Sequence, residues 1–225
     1  MEKPPGEKVL AILKEDSFGR VELVEKEGVR RVRRTACGGR IPGSSLLGRF
    51  LARREMRVLQ RLEGVPGVPR FLGQRGRDTF YRSYAEGCQL DEAETVEASY
   101  FEELFALLVL VHGTGVTHND LAKEANILVT VARSPVLVDF QLALAFPPKV
   151  GRLGRRFFEM LCREDRRHLL KQKAVHRPDL LTPEEWNALR KKSLPARLWS
   201  ATGMKLYHAL TRPLGWRDRE GRGKN

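Results

Sequence analysis

Apolar and polar residues alternate along the first part of the chain in the way that is typical of short strands. Three such runs, with a polar turn between the first two, cover residues 9–13, 20–25 and 29–35, the turn being 14–19. From residue 44 or 45 to Leu62, apolar residues recur at helical spacing, with arginines between them. The pattern therefore predicts three strands followed by a long helix.

The later pattern predicts more strands and then mainly helices. Short strands are expected around 70–72 and 79–84, a second buried helix over 95–112, and a hairpin of strands 127–131 and 136–140. Beyond Pro147 the chain reads as helical, with breaks at prolines. This order predicts an α+β fold, with a sheet-rich N-lobe and connector over 1–87 and a helical C-lobe over 88–225.

Charge is unevenly distributed along the 225 residues, whose formal net charge is +13. Residues 20–62 carry a net +8 and residues 147–225 a net +12, whereas residues 63–146 carry a net −6. Such basic regions suit a polyanionic partner, namely nucleotide phosphates, anionic lipid or nucleic acid, or they are simply a soluble basic surface. Three widely spaced cysteines argue against a disulfide framework or a zinc site. With no apolar leader or membrane-length apolar run, we expect a protein that is cytoplasmic or peripheral at the inner face of the membrane.

The densest chemical signal lies between Leu110 and Gln141. It contains His118-Asn119-Asp120-Leu121, then Asn126-Ile127-Leu128-Val129, and finally Val138-Asp139-Phe140-Gln141. Phosphoryl transfer needs a carboxylate to orient a hydroxyl, and oxygen ligands to hold Mg²⁺ against phosphates. Asp120, Asn126 and Asp139 supply these groups in order, although each residue taken alone is also common in loops.

These motifs resemble the protein-kinase-like superfamily, with its H-x-D-L, N-I-L and D-F-G runs. The resemblance implies ATP and Mg²⁺ as cofactors, Asp120 as catalytic base, and Asn126 and Asp139 as metal ligands. His118 would brace the loop. Asn126 follows Asp120 by six residues where most kinases have five, so the loop should bulge around Lys123, which either reaches the γ-phosphate or is solvated.

The resemblance extends to the N-lobe. Phe18-Gly19-Arg20-Val21 resembles the end of a glycine-rich loop, which implies that Gly19 and Val21 approach the nucleotide; a plain hairpin turn is the alternative. The run 79–87 resembles the fifth strand and hinge, so that Ser83 and Tyr84 would present backbone groups to adenine.

Glu55 resembles the helix glutamate that pairs with a lysine of the third strand, but that strand contains only arginines. By pattern we place Arg33 opposite Glu55, with Arg34 as the second choice because a slip of one residue exchanges the strand faces. Lys14 or Lys26 could reach the cleft instead.

Over about residues 8–173 the chain resembles small bacterial kinases of lipopolysaccharide-core heptose and Kdo, and RIO-type kinases. The expected activity is transfer of the ATP γ-phosphate to a hydroxyl, with an envelope saccharide or glycolipid as favoured acceptor. The alternatives are a RIO-like serine/threonine protein kinase and a nucleotide-binding pseudokinase. The tail over 194–217 mixes aromatic and basic residues, which suits either an anionic membrane or a helix packed on the lobe. No aromatic RNA-binding signature is present, so a nucleic acid partner is not expected.

Overall fold

A computed structural model of the chain describes residues 6–16, 18–37 and 44–190. The strands in chain order are β1 (Glu7–Asp16), β2 (Gly19–Lys26), β3 (Val29–Ala36), β4 (Phe71–Arg75), β5 (Thr79–Ser83), β6 (Gly87–Gln89), β7 (Val116–Thr117), β8 (Ile127–Thr130), β9 (Pro135–Leu137) and β10 (Leu144–Ala145). The helices are α1 (Ser44–Arg61), α2 (Ala98–Gly113), α3 (Arg152–His176) and α4 (Pro183–Arg190). This arrangement confirms the predicted α+β fold.

The N-terminal sheet has five antiparallel strands in the order β1-β2-β3-β5-β4. In β2 and β3 apolar residues are interspersed with charged ones, and Val21, Val24 and Val32 are buried. Directly opposed residues on neighbouring antiparallel strands share a face. Val21 opposes Arg34, which in turn opposes Phe80, so these three side chains form one row on the face that carries α1.

The first strand is longer than predicted and irregular. It continues to Asp16, so the predicted turn over 14–19 is wrong for its first three residues. Its pairing with β2 shifts between Val9 and Ala11 and again between Ile12 and Lys14. Each shift adds a residue to β1, and such bulges redirect the side chains that follow them.

Helix α1 is fastened to the rest of the molecule by arginines. Arg54 donates to the carbonyl oxygens of Ala143 at 2.6 Å and Leu142 at 2.9 Å, and Arg61 donates to Thr114 O at 2.7 Å. At Gly48 a Cβ atom would lie 2.2 Å from the carbonyl oxygen of Phe18, so only glycine allows the helix to approach the β1–β2 turn this closely. The position of α1 is therefore set by both lobes.

The C-terminal part is built on α2 and α3, with a three-stranded sheet of order β6-β8-β9 and a short β7–β10 pair. One buried apolar core continues from α1 and β5 into α2 and the β8–β9 hairpin. Its members include Phe80, Tyr100, Phe101, Leu104, Leu108, Phe140 and Leu169. The predicted second helix and hairpin are thus present, displaced by a few residues.

The described residues up to Thr182 form one compact unit, and α4 belongs to a second one. The expected lobe boundary between residues 87 and 88 stays a prediction, and the tail over 194–217 lies outside the described residues. Among the helices of the described part, none is long and apolar enough to span a membrane.

Candidate active site

The centre of the site is the loop that follows β7. Asn119 has a left-handed backbone (φ 66°), which asparagine tolerates better than most residues. Asp120 comes next, and its Oδ2 accepts hydrogen bonds from Lys123 Nζ and Asn126 Nδ2, both at 3.0 Å. Asn126 Nδ2 also donates to the Asp120 carbonyl at 2.8 Å. The loop, which is one residue longer than in most kinases, therefore surrounds the Asp120 carboxylate with the donors of Lys123 and Asn126.

Asp165 of α3 holds this loop by hydrogen bonds to its backbone. Its side chain is almost fully buried, and it accepts hydrogen bonds from the backbone N–H groups of His118 at 2.7 Å and Asn119 at 2.8 Å. His112 Nε2 lies 3.1 Å from the Oδ2 of the same carboxylate. Because two adjacent N–H groups are bound by one charged side chain, the turn into Asp120 is fixed in orientation.

Two further residues of α3 continue this support along the loop. Gln172 Nε2 donates to the carbonyls of Leu121 at 3.3 Å and Ala122 at 3.0 Å. His176 Nε2 lies 3.0 Å from Glu124 Oε1. Asp165, Gln172 and His176 are separated by seven and four residues, which places them on one face of a helix. Helix α3 is therefore the platform on which the loop rests.

His118 braces the loop and is not positioned as a reacting group. Its side chain is fully buried, its Nε2 donates to Val138 O at 2.9 Å, and its ring lies 4.6 Å from that of Phe140. Burial lowers the pKa of His118 below its usual value, against the opposing effect of Asp165. The imidazole is thus neutral near pH 7, with its proton on Nε2.

Asp139 meets Asn126 because a hairpin connects them. Asn126 precedes β8, Asp139 follows β9, and Val138 N donates to Asn126 O at 2.9 Å. Asp139 has a left-handed backbone (φ 62°, ψ 63°), a strained conformation that is concentrated at functional sites. Its Oδ2 accepts a hydrogen bond from Lys14 Nζ at 3.1 Å, and its Oδ1 lies 4.0 Å from Arg34 Nη1.

Cations control the ionisation of Asp139. Burial alone would raise the pKa of this carboxyl, but Lys14, Arg34 and Arg82 together hold it at about 2. Because the pKa in the folded state lies below its ordinary value of 3.8, ionised Asp139 stabilises the fold above pH 4. This contribution, about 2 kcal/mol, is lost as the pH falls from 4 towards 2.

We predict that a carboxyl ¹³C NMR titration gives Asp139 an apparent pKa of about 2. The Lys14→Met variant should raise that value because it removes the nearest cation. A pKa near 4 for Asp139 in the unaltered protein would contradict the ion pairs described above.

The oxygen atoms around Asp139 and Asn126 fit a magnesium ion. Asp139 Oδ1 is buried and accepts no hydrogen bond within the described residues. With its Nδ2 turned to Asp120, Asn126 keeps its amide oxygen as a ligand. The described ranges contain no group of three or more His, Cys, Asp or Glu side chains placed to hold a metal. Mg²⁺ needs no such group, since it is usually held by one or two protein ligands together with water and phosphate.

Glu55 pairs with Arg34, so the placement of Arg33 opposite Glu55 is wrong. The Glu55 side chain is 0% exposed, and its Oε2 accepts a hydrogen bond from Arg34 Nη1 at 2.6 Å. Arg82 of β5 lies on the same face, with its Nε 3.9 Å from Glu55 Oε1. Two guanidinium groups and two carboxylates, those of Glu55 and Asp139, therefore form a buried cluster behind the cleft.

Arg33 points to the opposite face of the sheet. It opposes Glu22 in the β2–β3 ladder and donates to that carboxylate from Nη2 at 2.8 Å and from Nε at 3.0 Å. It also donates to Glu7. Its contacts are thus within the sheet and not in the cleft, because successive residues of a strand alternate between faces.

Gly19 and Val21 stand at the start of β2. At Gly19 a Cβ atom would lie 2.6 Å from the carbonyl oxygen of Thr35, so the close approach of β3 is sufficient to explain this glycine. Val21 is buried in the same row as Lys14 and Arg34. Contact of either residue with a nucleotide stays a prediction.

Ser83 and Tyr84 end β5 and begin the connector to β6. Ser83 is engaged with Arg70, since Ser83 N donates to Arg70 O at 2.9 Å and Arg70 N donates to Ser83 Oγ at 2.8 Å. Tyr84 is half-buried. Their predicted role beside adenine is not tested by these contacts.

Two solved structures share this architecture over most of the chain. The Rio2 kinase from Chaetomium thermophilum matches with a TM-score of 0.59 and 20% identity, over 93% of this chain and 74% of that one. The fold is protein-kinase-like. A complex of the Rio2 kinase from the same organism with ADP/Mg²⁺-phosphoaspartate matches with a TM-score of 0.56 and 19% identity, over 92% and 70% of the two chains. No protein-family model and no curated protein matches the sequence.

Within this kinase-like fold, sequence reasoning missed Arg82 and the three supporting residues of α3. Arg82 could have been found from strand alternation, because it is two residues from the buried Phe80 on the same face. The polar stripe of Asp165, Gln172 and His176 has helical spacing around the buried Leu169. The sequence feature that could have revealed these three residues is that they are polar, although they lie on the face of a helix that otherwise packs into the core.

Proposed function

We propose that the protein is a Mg²⁺-dependent phosphotransferase that moves the γ-phosphoryl group of ATP to an acceptor hydroxyl. One observation carries the proposal. Asn126 Nδ2 donates a hydrogen bond to the Asp120 carboxylate, and Asn126 O accepts one from the backbone N–H of Val138, the residue before Asp139. A base and two metal ligands are thereby joined in one rigid unit within a protein-kinase-like fold.

Each residue has a defined task in this reaction. Asp120 accepts the proton of the acceptor hydroxyl. At the same time the hydroxyl oxygen forms a bond to the γ-phosphorus, and the bond between that phosphorus and the departing ADP breaks. Lys123, whose Nζ donates a hydrogen bond to the Asp120 carboxylate at 3.0 Å, keeps that carboxylate oriented. Asp139 and Asn126 would hold Mg²⁺, which neutralises charge on the phosphates when it is bound.

As acceptor we propose a saccharide or glycolipid of the cell envelope. Twelve residues, 140–151, separate Asp139 from the first residue of α3, which leaves little chain to build a platform for a peptide. The Lys123 side chain is 60% exposed next to Asp120, and this cation suits an acceptor that itself carries phosphate or carboxylate groups.

Two other functions each have a specific observation in their favour. The solved structures with the same fold are Rio2 kinases, one of them bound to ADP/Mg²⁺, which favours a RIO-like serine/threonine protein kinase equally well. An arginine, Arg34, instead of a lysine pairs with Glu55, and this departure from the kinase pattern favours a pseudokinase that binds nucleotide without turnover.

The deciding experiment incubates the protein with γ-labelled ATP and Mg²⁺ in a cell lysate and separates protein, lipid and polysaccharide. The Asp120→Asn variant is the control for background kinases. Asp120-dependent label in lipid or polysaccharide supports the favoured acceptor, and label in protein supports the RIO-like function. Nucleotide binding without Asp120-dependent label in any fraction would overturn the transferase and support the pseudokinase.

A further inference from the structure

We propose that Lys14 is a phosphate-binding residue of the cleft, which exchanges the Asp139 carboxylate for the phosphates of a bound nucleotide. This inference rests on the proposed function. Its starting point is the distance of 3.1 Å between Lys14 Nζ and Asp139 Oδ2. These residues are 125 positions apart, so this contact brings the first strand to the carboxylate that is proposed to hold the metal.

The bulge in β1 explains why Lys14 faces the cleft. Ile12 opposes Glu22, whereas Lys14 opposes Val21, so Leu13 is the additional residue of the bulge. Without this shift Leu13 would oppose Val21, and Lys14 would lie on the outer face. With the shift, Lys14 joins the row formed by Val21 and Arg34. A lysine thus replaces an apolar residue on the cleft side of the sheet.

Arg34 is unsuited to the same task. Its side chain is 4% exposed, and its Nη1 is bonded to the fully buried Glu55. Turning this guanidinium to an incoming phosphate would remove the hydrogen bond to the buried Glu55 and leave it only the more distant Arg82, whose Nε is 3.9 Å from Glu55 Oε1, which is unfavourable for a buried pair. Arg34 therefore joins β3 to α1, and the cleft needs another cation for phosphate.

Lys14 meets that need. Its side chain is 45% exposed, so the ammonium group is accessible to a ligand from solvent, and Asp139 keeps Arg34 at 4.0 Å when Lys14 turns away. The ammonium group is a compact charge with three donors on a flexible stem, so it can turn without moving the strand. Phosphates carry more negative charge than a carboxylate, and a divalent cation on Asp139 would repel Lys14 towards them.

The first test compares the binding of ATP and adenosine by isothermal titration calorimetry. The Lys14→Met variant keeps the aliphatic stem and loses the charge. We expect at least a tenfold weaker affinity for ATP and an affinity for adenosine that changes less than twofold. The control is Lys26→Met, whose lysine is at the other end of the β1–β2 ladder and lies 3.9 Å from Glu27. It should leave both affinities unchanged.

A double-mutant cycle tests the exchange itself, with ATP as ligand and no metal present. In the Asp139→Asn background Lys14 is released from its ion pair. The Lys14→Met change should therefore weaken ATP binding by a larger factor there than in the unaltered protein. Thermal unfolding of all variants verifies that they are folded.

The outcomes separate the two proposals. If the unaltered protein binds ATP and Lys14→Met binds it equally well, the role of Lys14 is wrong while the proposed function stands. If the unaltered protein binds neither ATP nor adenosine, the proposed function fails and the role of Lys14 fails with it. An equal factor in both backgrounds of the cycle would refute the exchange with Asp139.

Discussion

Replacing Asp120 with asparagine is expected to slow phosphoryl transfer by about 10²- to 10⁴-fold, the usual contribution of a general base. Asparagine has nearly the same shape, and its amide oxygen can still accept the hydrogen bonds that Lys123 and Asn126 donate to Oδ2. It cannot accept the hydroxyl proton. Rates of product formation at saturating ATP, with the acceptor found by labelling, measure the effect.

The affinity for ATP should change little in this variant, because the proposed nucleotide contacts lie elsewhere. The matched control is Asp91→Asn, since Asp91 is exposed in the 3₁₀ turn Leu90–Glu92. An Asp120→Asn protein that transfers phosphate at the unaltered rate would remove Asp120 from the reaction. The labelled product would then have to arise from another base.

The Asp165→Ala variant should lower the free energy of unfolding by about 3 to 5 kcal/mol, the usual cost of removing one partner from a buried charged network. Alanine leaves the N–H groups of His118 and Asn119 without their acceptor, and His112 loses its contact. Urea unfolding, followed by circular dichroism, measures the change.

Glu159→Ala is the control on the same helix. Glu159 is exposed and pairs with the exposed Arg155 at 3.0 Å, so its loss should cost less than about 0.5 kcal/mol. If Asp165→Ala and Glu159→Ala were equally stable, the loop would not depend on the Asp165 carboxylate, and the turn into Asp120 would have to be held by local interactions.

The order of the chemical groups along the chain was accessible from the sequence because motif spacing preserves it. The spatial proximity of Asn126 and Asp139 could be predicted, because β-branched runs on both sides of a turn predict a hairpin between them. Helices α1 and α2 were predicted for a similar reason, since both have apolar residues at helical spacing. Local pattern is sufficient wherever the contact partners lie within one supersecondary unit.

The choice between Arg33 and Arg34 could not be made in this way. Four of the six residues from Val29 to Arg34 are arginines, so polarity does not mark which face of the strand is buried. Arginine stems are long enough to be covered on either face. The face to which each arginine points is decided by the acidic residues that it pairs with, and these come from other elements. Glu22 and Glu7 lie on one face of the sheet and Glu55 on the other.

Lys14 was harder still, because its orientation depends on a bulge. A regular strand would place Lys14 and Ile12 on one face, whereas the additional residue separates them. Bulges have no strong sequence signature apart from glycine, and this one contains Leu13. The contact with Asp139 then depends on a residue 125 positions away in the sequence, which no pattern within β1 encodes.

Because the Asp120 loop depends on α3, it can fold only late in the synthesis of the protein. Asp165, Gln172 and His176 are made 46 to 52 residues after the loop residues that they contact. A ribosome must therefore complete α3 before the loop can adopt its bonded geometry. Nascent chains that stop before Asp165 should carry the whole motif and yet bind no substrate, so that activity appears late and abruptly during synthesis.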